Sequence, residues 1–386
     1  MTSPTIPPPR FDELDGLRGL LALWVMLSHV CCMTGIISVP LPAVFLPVWQ
    51  SFVFAQPAVD LFIILSGFAI TSLLRAQQPS YGRFISGRFF RIYPVYLVCL
   101  LLAVVAEPLA PGIAALCRWP ESVYFSWLQP IFLSEQAWWG RHILWHLTLL
   151  NGLVPSHLLP RAASTLLAPG WSLTLEWQYY LVAPILAVAC QTGGRLVLLF
   201  VVILAGSAFG SWIYDFPSSF LFTKLPLFLV GMMSQHLVWR RRDPFQAVSP
   251  AQIGWGMMLA VTATILTSDN LLALVGWAAV LAVIINFGEG CGYSGPFAAI
   301  RRLLLDARVQ TLGHLSFPLY LLHWPVIILL LRLLLYWQPQ VRARYAALFL
   351  LVIGSPVILL LAAGLHRYIE TPGMNFGRRL LRPEPK

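Results

Sequence analysis

The sequence predicts an all-α integral membrane protein with about ten transmembrane helices and both termini in the cytoplasm. Three observations predict it. Hydrophobic residues make up 58% of the chain and charged residues only 10%, with a mean hydropathy of +0.76, whereas soluble domains carry about 25% charge. Ten apolar segments approach the roughly 20 residues that a helical crossing requires: 17–36, 58–74, 92–106, 172–190, 196–213, 220–238, 252–268, 271–287, 314–336 and 345–366. Finally, the cations alternate with these segments in the manner of the positive-inside rule.

With the N-terminus inside, only Arg118, Arg141, Arg161, Lys224, Arg332, Arg342 and Arg344 fall on the outer side. The excess of 25 Lys and Arg over 15 Asp and Glu therefore sets topology, and no nucleic-acid partner is expected. Prolines 4, 7, 8 and 9 and three acids precede the first segment without a small-residue cleavage pattern, so that helix is expected to stay. Cys31, Cys32, Cys99, Cys117, Cys190 and Cys291 are scattered rather than set at metal-ligand spacings. Apolar packing is their expected role, and no metal is expected.

The first segment opens with Arg18 and carries His29 eleven residues later, about 16 Å and three turns along one helical face. Ionisable groups at membrane depth usually face an interior path, so the pair marks a candidate site. In the second segment, Asp60 stands at the outer end as a helix cap or a ligand group, and Ser66-Gly67 reads as a packing notch rather than a nucleophile. Residues 80–91 carry Arg83, Arg88 and Arg91 among phenylalanines. Their spacing suits a helix lying at the inner interface before the third crossing, and Arg83 reads equally as a topology anchor.

The outer stretch 107–171 holds Trp119, Trp127, Trp138, Trp139, Trp145 and Trp171, which suits an interfacial aromatic belt or stacking on sugar rings. Residues 143–150 within it are apolar but too short to cross, and read as re-entrant or interfacial. The fourth segment begins with Ser172 as a plausible cap and takes Glu176 into its first turns. The inner loop 288–313 has Gly288, Gly290, Gly292 and Gly295 before Arg301 and Arg302, matching no phosphate-loop pattern. In the ninth segment, Ser316-Phe317-Pro318-Leu319-Tyr320-Leu321-Leu322-His323 places a second histidine at a depth compatible with His29, and in the tenth Glu370 is expected to pin the helix end.

Taken as a set, Arg18 and His29, Val59-Asp60 through Ser66-Gly67-Phe68, Arg88 and Arg91, Trp171-Ser172-Leu173 through Glu176, Ser316 to His323, and Glu370-Thr371-Pro372 resemble the acyltransferase family 3 membrane proteins. The resemblance covers about residues 11–375. One departure is Phe317, where the family commonly has tyrosine. The family implies transfer of an acyl group, usually acetyl, from cytoplasmic acyl-coenzyme A to a hydroxyl of an extracytoplasmic glycan or lipid-linked sugar. It implies one transmembrane acyltransferase domain over 1–375 in the inner membrane, with a short basic cytoplasmic tail at 376–386.

Coenzyme A is polyanionic, which fits Arg18, Arg88 and Arg91 as its binding residues. Alcohol attack on a thioester needs a base such as imidazole. His29, Glu176 and His323 are therefore the expected catalytic residues, with Glu176 and His323 lining the acceptor side, and Asp60, Trp171 and Tyr320 the expected acceptor-binding residues. Direct transfer and a covalent acyl-histidine both remain open. The protein is expected to act alone or with a separate extracytoplasmic partner. A secondary transporter is the alternative, opposed by the missing internal repeat and by the Arg18–His29 pairing.

Overall fold

A computed structural model describes residues 11–35, 46–116, 123–190, 193–210, 215–242, 248–267, 271–287 and 295–381. Cys117, Arg118, Trp119, Gly288, Gly290, Cys291, Gly292 and the segment 382–386 lie outside them. Sixteen α-helices follow one another without a strand among the described residues. They are α1 (Asp12–Met33), α2 (Leu46–Phe54), α3 (Gln56–Gln77), α4 (Tyr81–Ala106), α5 (Ala110–Leu116), α6 (Val123–Thr148), α7 (Gly170–Ala189) and α8 (Gly193–Ala208). The second half comprises α9 (Leu221–Arg242), α10 (Pro250–Thr267), α11 (Leu271–Phe287), α12 (Pro296–Leu304), α13 (Ala307–Trp337), α14 (Ala343–Phe349), α15 (Ser355–Leu365) and α16 (Thr371–Leu380).

Among the described residues, six helical runs are long and apolar enough to cross a membrane: Asp12–Met33, Gln56–Gln77, Tyr81–Ile113, Leu221–Arg240, Ala307–Trp337 and Ala343–Leu380. The other four expected crossings also form helices but fall short of that standard for two physical reasons. Three are shorter apolar helices, Gly194–Ala208, Pro250–Leu266 and Leu271–Ile285. The fourth, α7, has the length, but Glu176, Gln178, Tyr179 and Tyr180 at its centre lower its hydropathy.

Two expectations about local structure change. The basic strip 80–91 is no separate interfacial helix: α4 runs unbroken from Tyr81, because nothing before Pro94 interrupts it. Likewise, residues 143–148 are the last turns of the longer helix α6, which is kinked at Trp138. The chain beyond α15 continues through a wide helical turn at His366–Glu370 into α16.

Close backbone approaches fix the helices around the site. On α1, Gly16 and Gly19 abut the backbone of Leu304 and of Gly313 on α13, and Gly313 abuts Asp15 in return. A Cβ at any of the three would strike main chain. Gly67 of α3 and Gly231 of α9 form a second reciprocal notch against the carbonyls of Phe228 and Ile64, as the small-residue reading of Ser66-Gly67 anticipates. The same two helices are joined by a buried ion pair, Lys224 Nζ to Asp60 Oδ1 at 3.0 Å. Outside this core, α8, α10 and α11 pack against α9 and α3.

The connection between α4 and α7 is held by buried polar groups rather than by apolar surface alone. His142 bonds Ser134 Oγ and Thr165 Oγ1, each at 3.0 Å. His146 meets the Ala162 carbonyl at 3.1 Å, and the Tyr96 hydroxyl donates to the His146 carbonyl at 2.8 Å. Paired in this way, buried polar groups rigidify a segment instead of destabilising it.

Candidate functional site

Between α1, α3, α4, α7 and α13 lies a cavity of about 300 Å³. Its polar lining is Arg18 from α1, Ser66 from α3, Arg88 and Arg91 from α4, Ser172, Glu176 and Tyr180 from α7, and Ser316 and Tyr320 from α13. Among the described residues Glu176 is the one carboxylate in that lining. It accepts hydrogen bonds from Ser66 Oγ at 2.8 Å and from the Tyr180 hydroxyl at 2.5 Å. Arg88 lies over the Tyr180 ring at 5.9 Å, and its buried Nε has no hydrogen-bond partner.

Arg18 keeps a loose pairing with Asp15 at 3.6 Å, one turn back on its own helix. Three guanidiniums against one carboxylate leave a net positive chamber, and an unpaired buried donor is costly unless a ligand completes it. The residues present therefore fit a polyanionic group.

A second, smaller pocket of about 190 Å³ lies toward the other end of the bundle. His29, Trp171 and Tyr320 line it, together with Val25, Gln56, Val59 and Ser164. The two cavities share Tyr320, whose hydroxyl lies 2.7 Å from Ser172 Oγ. Thus the common face of Arg18 and His29 opens into two chambers rather than one, with Tyr320 and Ser172 in the wall between them.

His29 and His323 meet with Nδ1 and Nε2 2.9 Å apart and rings 5.0 Å between centroids. Their partners assign the protons. His323 Nδ1 faces the Leu319 carbonyl at 3.1 Å, which can only accept, so that nitrogen carries the hydrogen in a neutral ring. His323 Nε2 then accepts from His29 Nδ1, and His29 Nε2 is left with a lone pair. His323 is fully buried, while His29 is the member of the pair that lines the pocket. The Trp324 ring packs edge-on against His29 at 5.3 Å and its Nε1 donates to Glu107 Oε1 at 2.6 Å. A lone pair on an accessible imidazole, with the other nitrogen held by a fixed partner, is the arrangement a general base needs.

Several expected positions fall elsewhere. Glu176 lines the arginine chamber and not the histidine pocket, because it points from α7 toward Ser66 of α3. Asp60 lines neither cavity; it is fully buried and bonded to Lys224 and to Gln56 Nε2 at 3.1 Å. By contrast, Trp171 and Tyr320 do share the pocket of His29. Sequence reasoning missed Glu107 and its link through Trp324 to His29. An acid at the end of the apolar run 92–106 was the available signal, but its partner lies 217 residues away.

The sequence pattern of the acyltransferase domain matches residues 11–365. "Acyltransferase MdmB" of Streptomyces mycarofaciens is 27% identical over 176 residues, 46% of this chain and 39% of that protein. "Protein 2 in picA locus" of Rhizobium radiobacter is 32% identical over 105 residues, 25% of this chain and 45% of that protein. The chain thus spans less than half the length of either. "Putative membrane-bound transacylase BcsY" of Komagataeibacter xylinus is 25% identical over 391 aligned positions, 97% of this chain and 85% of that protein. No solved structure matches the chain. With the domain pattern covering nearly the whole chain, and a histidine pair set behind an arginine-lined chamber, the protein belongs to the acyltransferase 3 family of membrane acyltransferases.

Proposed function

We propose that the protein transfers an acyl group, acetyl first among them, from cytoplasmic acyl-coenzyme A to a hydroxyl of an extracytoplasmic glycan or lipid-linked sugar. One observation carries the reading: the arginines and His29 line separate chambers toward opposite ends of one bundle, meeting at Tyr320. In this reading ten helices cross the inner membrane, and the end that bears Arg88 and Arg91 faces the cytoplasm, in keeping with the positive-inside rule. Arg18, Arg88 and Arg91 hold donor phosphates, and Trp171 offers its ring face to the acceptor.

His29 Nε2 takes the acceptor hydroxyl proton as the oxygen attacks the thioester carbonyl, so the new C–O bond forms before the C–S bond breaks. His29 then returns that proton to the departing sulfur, releasing free coenzyme A. His323 holds His29 in the required tautomer, and the wall at Tyr320 and Ser172 opens for the thioester to reach it.

The test is transfer of label from [14C]acetyl-coenzyme A, supplied on the cytoplasmic face of inverted membrane vesicles, to the saccharide fraction enclosed within. Label in that fraction matched by free coenzyme A supports the reading. Release of coenzyme A with no labelled acceptor, or no release with either face supplied, overturns it.

A further inference from the structure

Beside the arginine chamber, and sharing Arg88 and Arg91 with it, is a vestibule of about 580 Å³. Two more guanidiniums line it, Arg83 from α4 and Arg378 from α16, together with Gln77, Ser80 and Met374. Among the described residues its lining contains no carboxylate. Arg378 arrives there because α16 packs on α4: Gly377 rests on the Phe90 ring where a Cβ would clash, the Phe376 and Phe90 rings meet at 5.5 Å, and Arg91 Nη1 points at Met374 Sδ, 3.6 Å away. Four like charges held around one hollow repel one another. That cost is offset when a polyanion fills the space, and the unpartnered Arg88 Nε borders the same hollow.

We infer that the vestibule binds the nucleotide end of the donor, with Arg83 and Arg378 on its 3′-phosphate while Arg88 and Arg91 hold the diphosphate at the mouth of the inner chamber. The inference rests on the acyl-coenzyme A reading above and gives it a specificity: the site selects coenzyme A over donors that carry the same acyl-pantetheine arm without the nucleotide. α16 is then part of the binding site rather than a tail.

The experiment is equilibrium binding to the purified full-length protein in nanodiscs of zwitterionic lipid, with acetyl-coenzyme A, acetyl-dephospho-coenzyme A and acetyl-pantetheine as probes. Arg83→Gln and Arg378→Gln are each expected to weaken acetyl-coenzyme A about tenfold, the loss of one charge-assisted contact, and to leave the other two probes within twofold. Arg379→Gln, on the exposed next position of α16, is expected to change nothing. Equal weakening of all three probes, or no weakening of any, overturns the assignment. Should Arg83→Gln and Arg378→Gln alter binding of spin-labelled phosphatidylglycerol and not of acetyl-coenzyme A, the vestibule is a lipid site and the inference fails. Failure of the wild type to bind any of the three probes would overturn the donor reading itself, and adenosine 3′,5′-bisphosphate then tests the vestibule alone, its binding upholding the phosphate site and its absence ending it.

Discussion

The arginine chamber and the histidine pocket satisfy their polar groups in opposite ways. In the chamber charge is under-paired: Arg88 Nε has no partner, Arg18 only a loose one, and a single carboxylate stands among three guanidiniums. Around His29, in the shell behind the pocket, the donors are committed. Ser28 Oγ donates to the Val53 carbonyl, His323 to Leu319, and Trp324 to Glu107. Under the proposed function, a chamber that captures a polyanion keeps donors in reserve, whereas a base is held in one tautomer, so the two halves of the proposed reaction impose different rules on neighbouring helices.

The comparison breaks most clearly at His29. His29→Ala should lower transfer about 10²- to 10⁴-fold, the range of a lost general base, while acetyl-coenzyme A affinity stays within twofold. His323→Ala, which removes the partner that fixes the tautomer, should cost about 10- to 100-fold. Paired measurement of turnover and donor binding decides the matter. If binding collapses along with turnover, the two chambers do not divide the work.

Part of this division was legible in the sequence. Arg18 and His29 share a face because helical periodicity is local, and His323 stands at the right depth for the same reason. Glu176 was legible as a buried acid, but its chamber was not, since its partner Ser66 lies 110 residues away. Asp60 looked like a ligand group because its counter-ion, Lys224, is 164 residues distant and was counted among the outer cations. Arg378 was read only as an inner cation of the basic tail, because its place beside Arg83 depends on how Gly377 packs against Phe90.

Next in size is an effect on the scaffold beneath both chambers. Gly231→Ala pushes a methyl group into the Ile64 carbonyl where α9 meets α3. It should destabilise the protein by about 1–3 kcal/mol, the usual cost of overpacking. Gly254→Ala on α10, where a Cβ meets open space, should be neutral or slightly stabilising. Thermal unfolding of the two variants side by side is the check, and equal melting temperatures would deny the close approach. Smaller still is the loss of one chamber cation. Arg88→Ala and Arg91→Ala should each raise the KM for acetyl-coenzyme A about tenfold with kcat within twofold. A fall in kcat at unchanged KM would move them from the chamber's binding role to the pocket's chemical one.

The smallest expected effect sharpens the comparison from the segment that supports the pocket. Glu135 on α6 is buried and accepts the Leu166 backbone N–H at 2.6 Å. Burial pushes its carboxyl up from the usual range to about 7, opposed in part by that N–H. A raised folded-state value means that the folded form holds the proton more tightly than the unfolded chain does. The stabilisation is therefore complete below the ordinary carboxylate range and is lost as pH rises toward and through about 7. Melting temperature should accordingly fall by a few degrees between pH 5 and pH 8, and Glu135→Gln, neutral throughout, should flatten that slope. Because Glu135 also bears electrostatically on Glu107, which holds Trp324 against His29, the same variant should leave donor affinity unchanged while shifting the alkaline limb of the transfer rate. A shift in donor affinity instead would tie this segment to the arginine chamber.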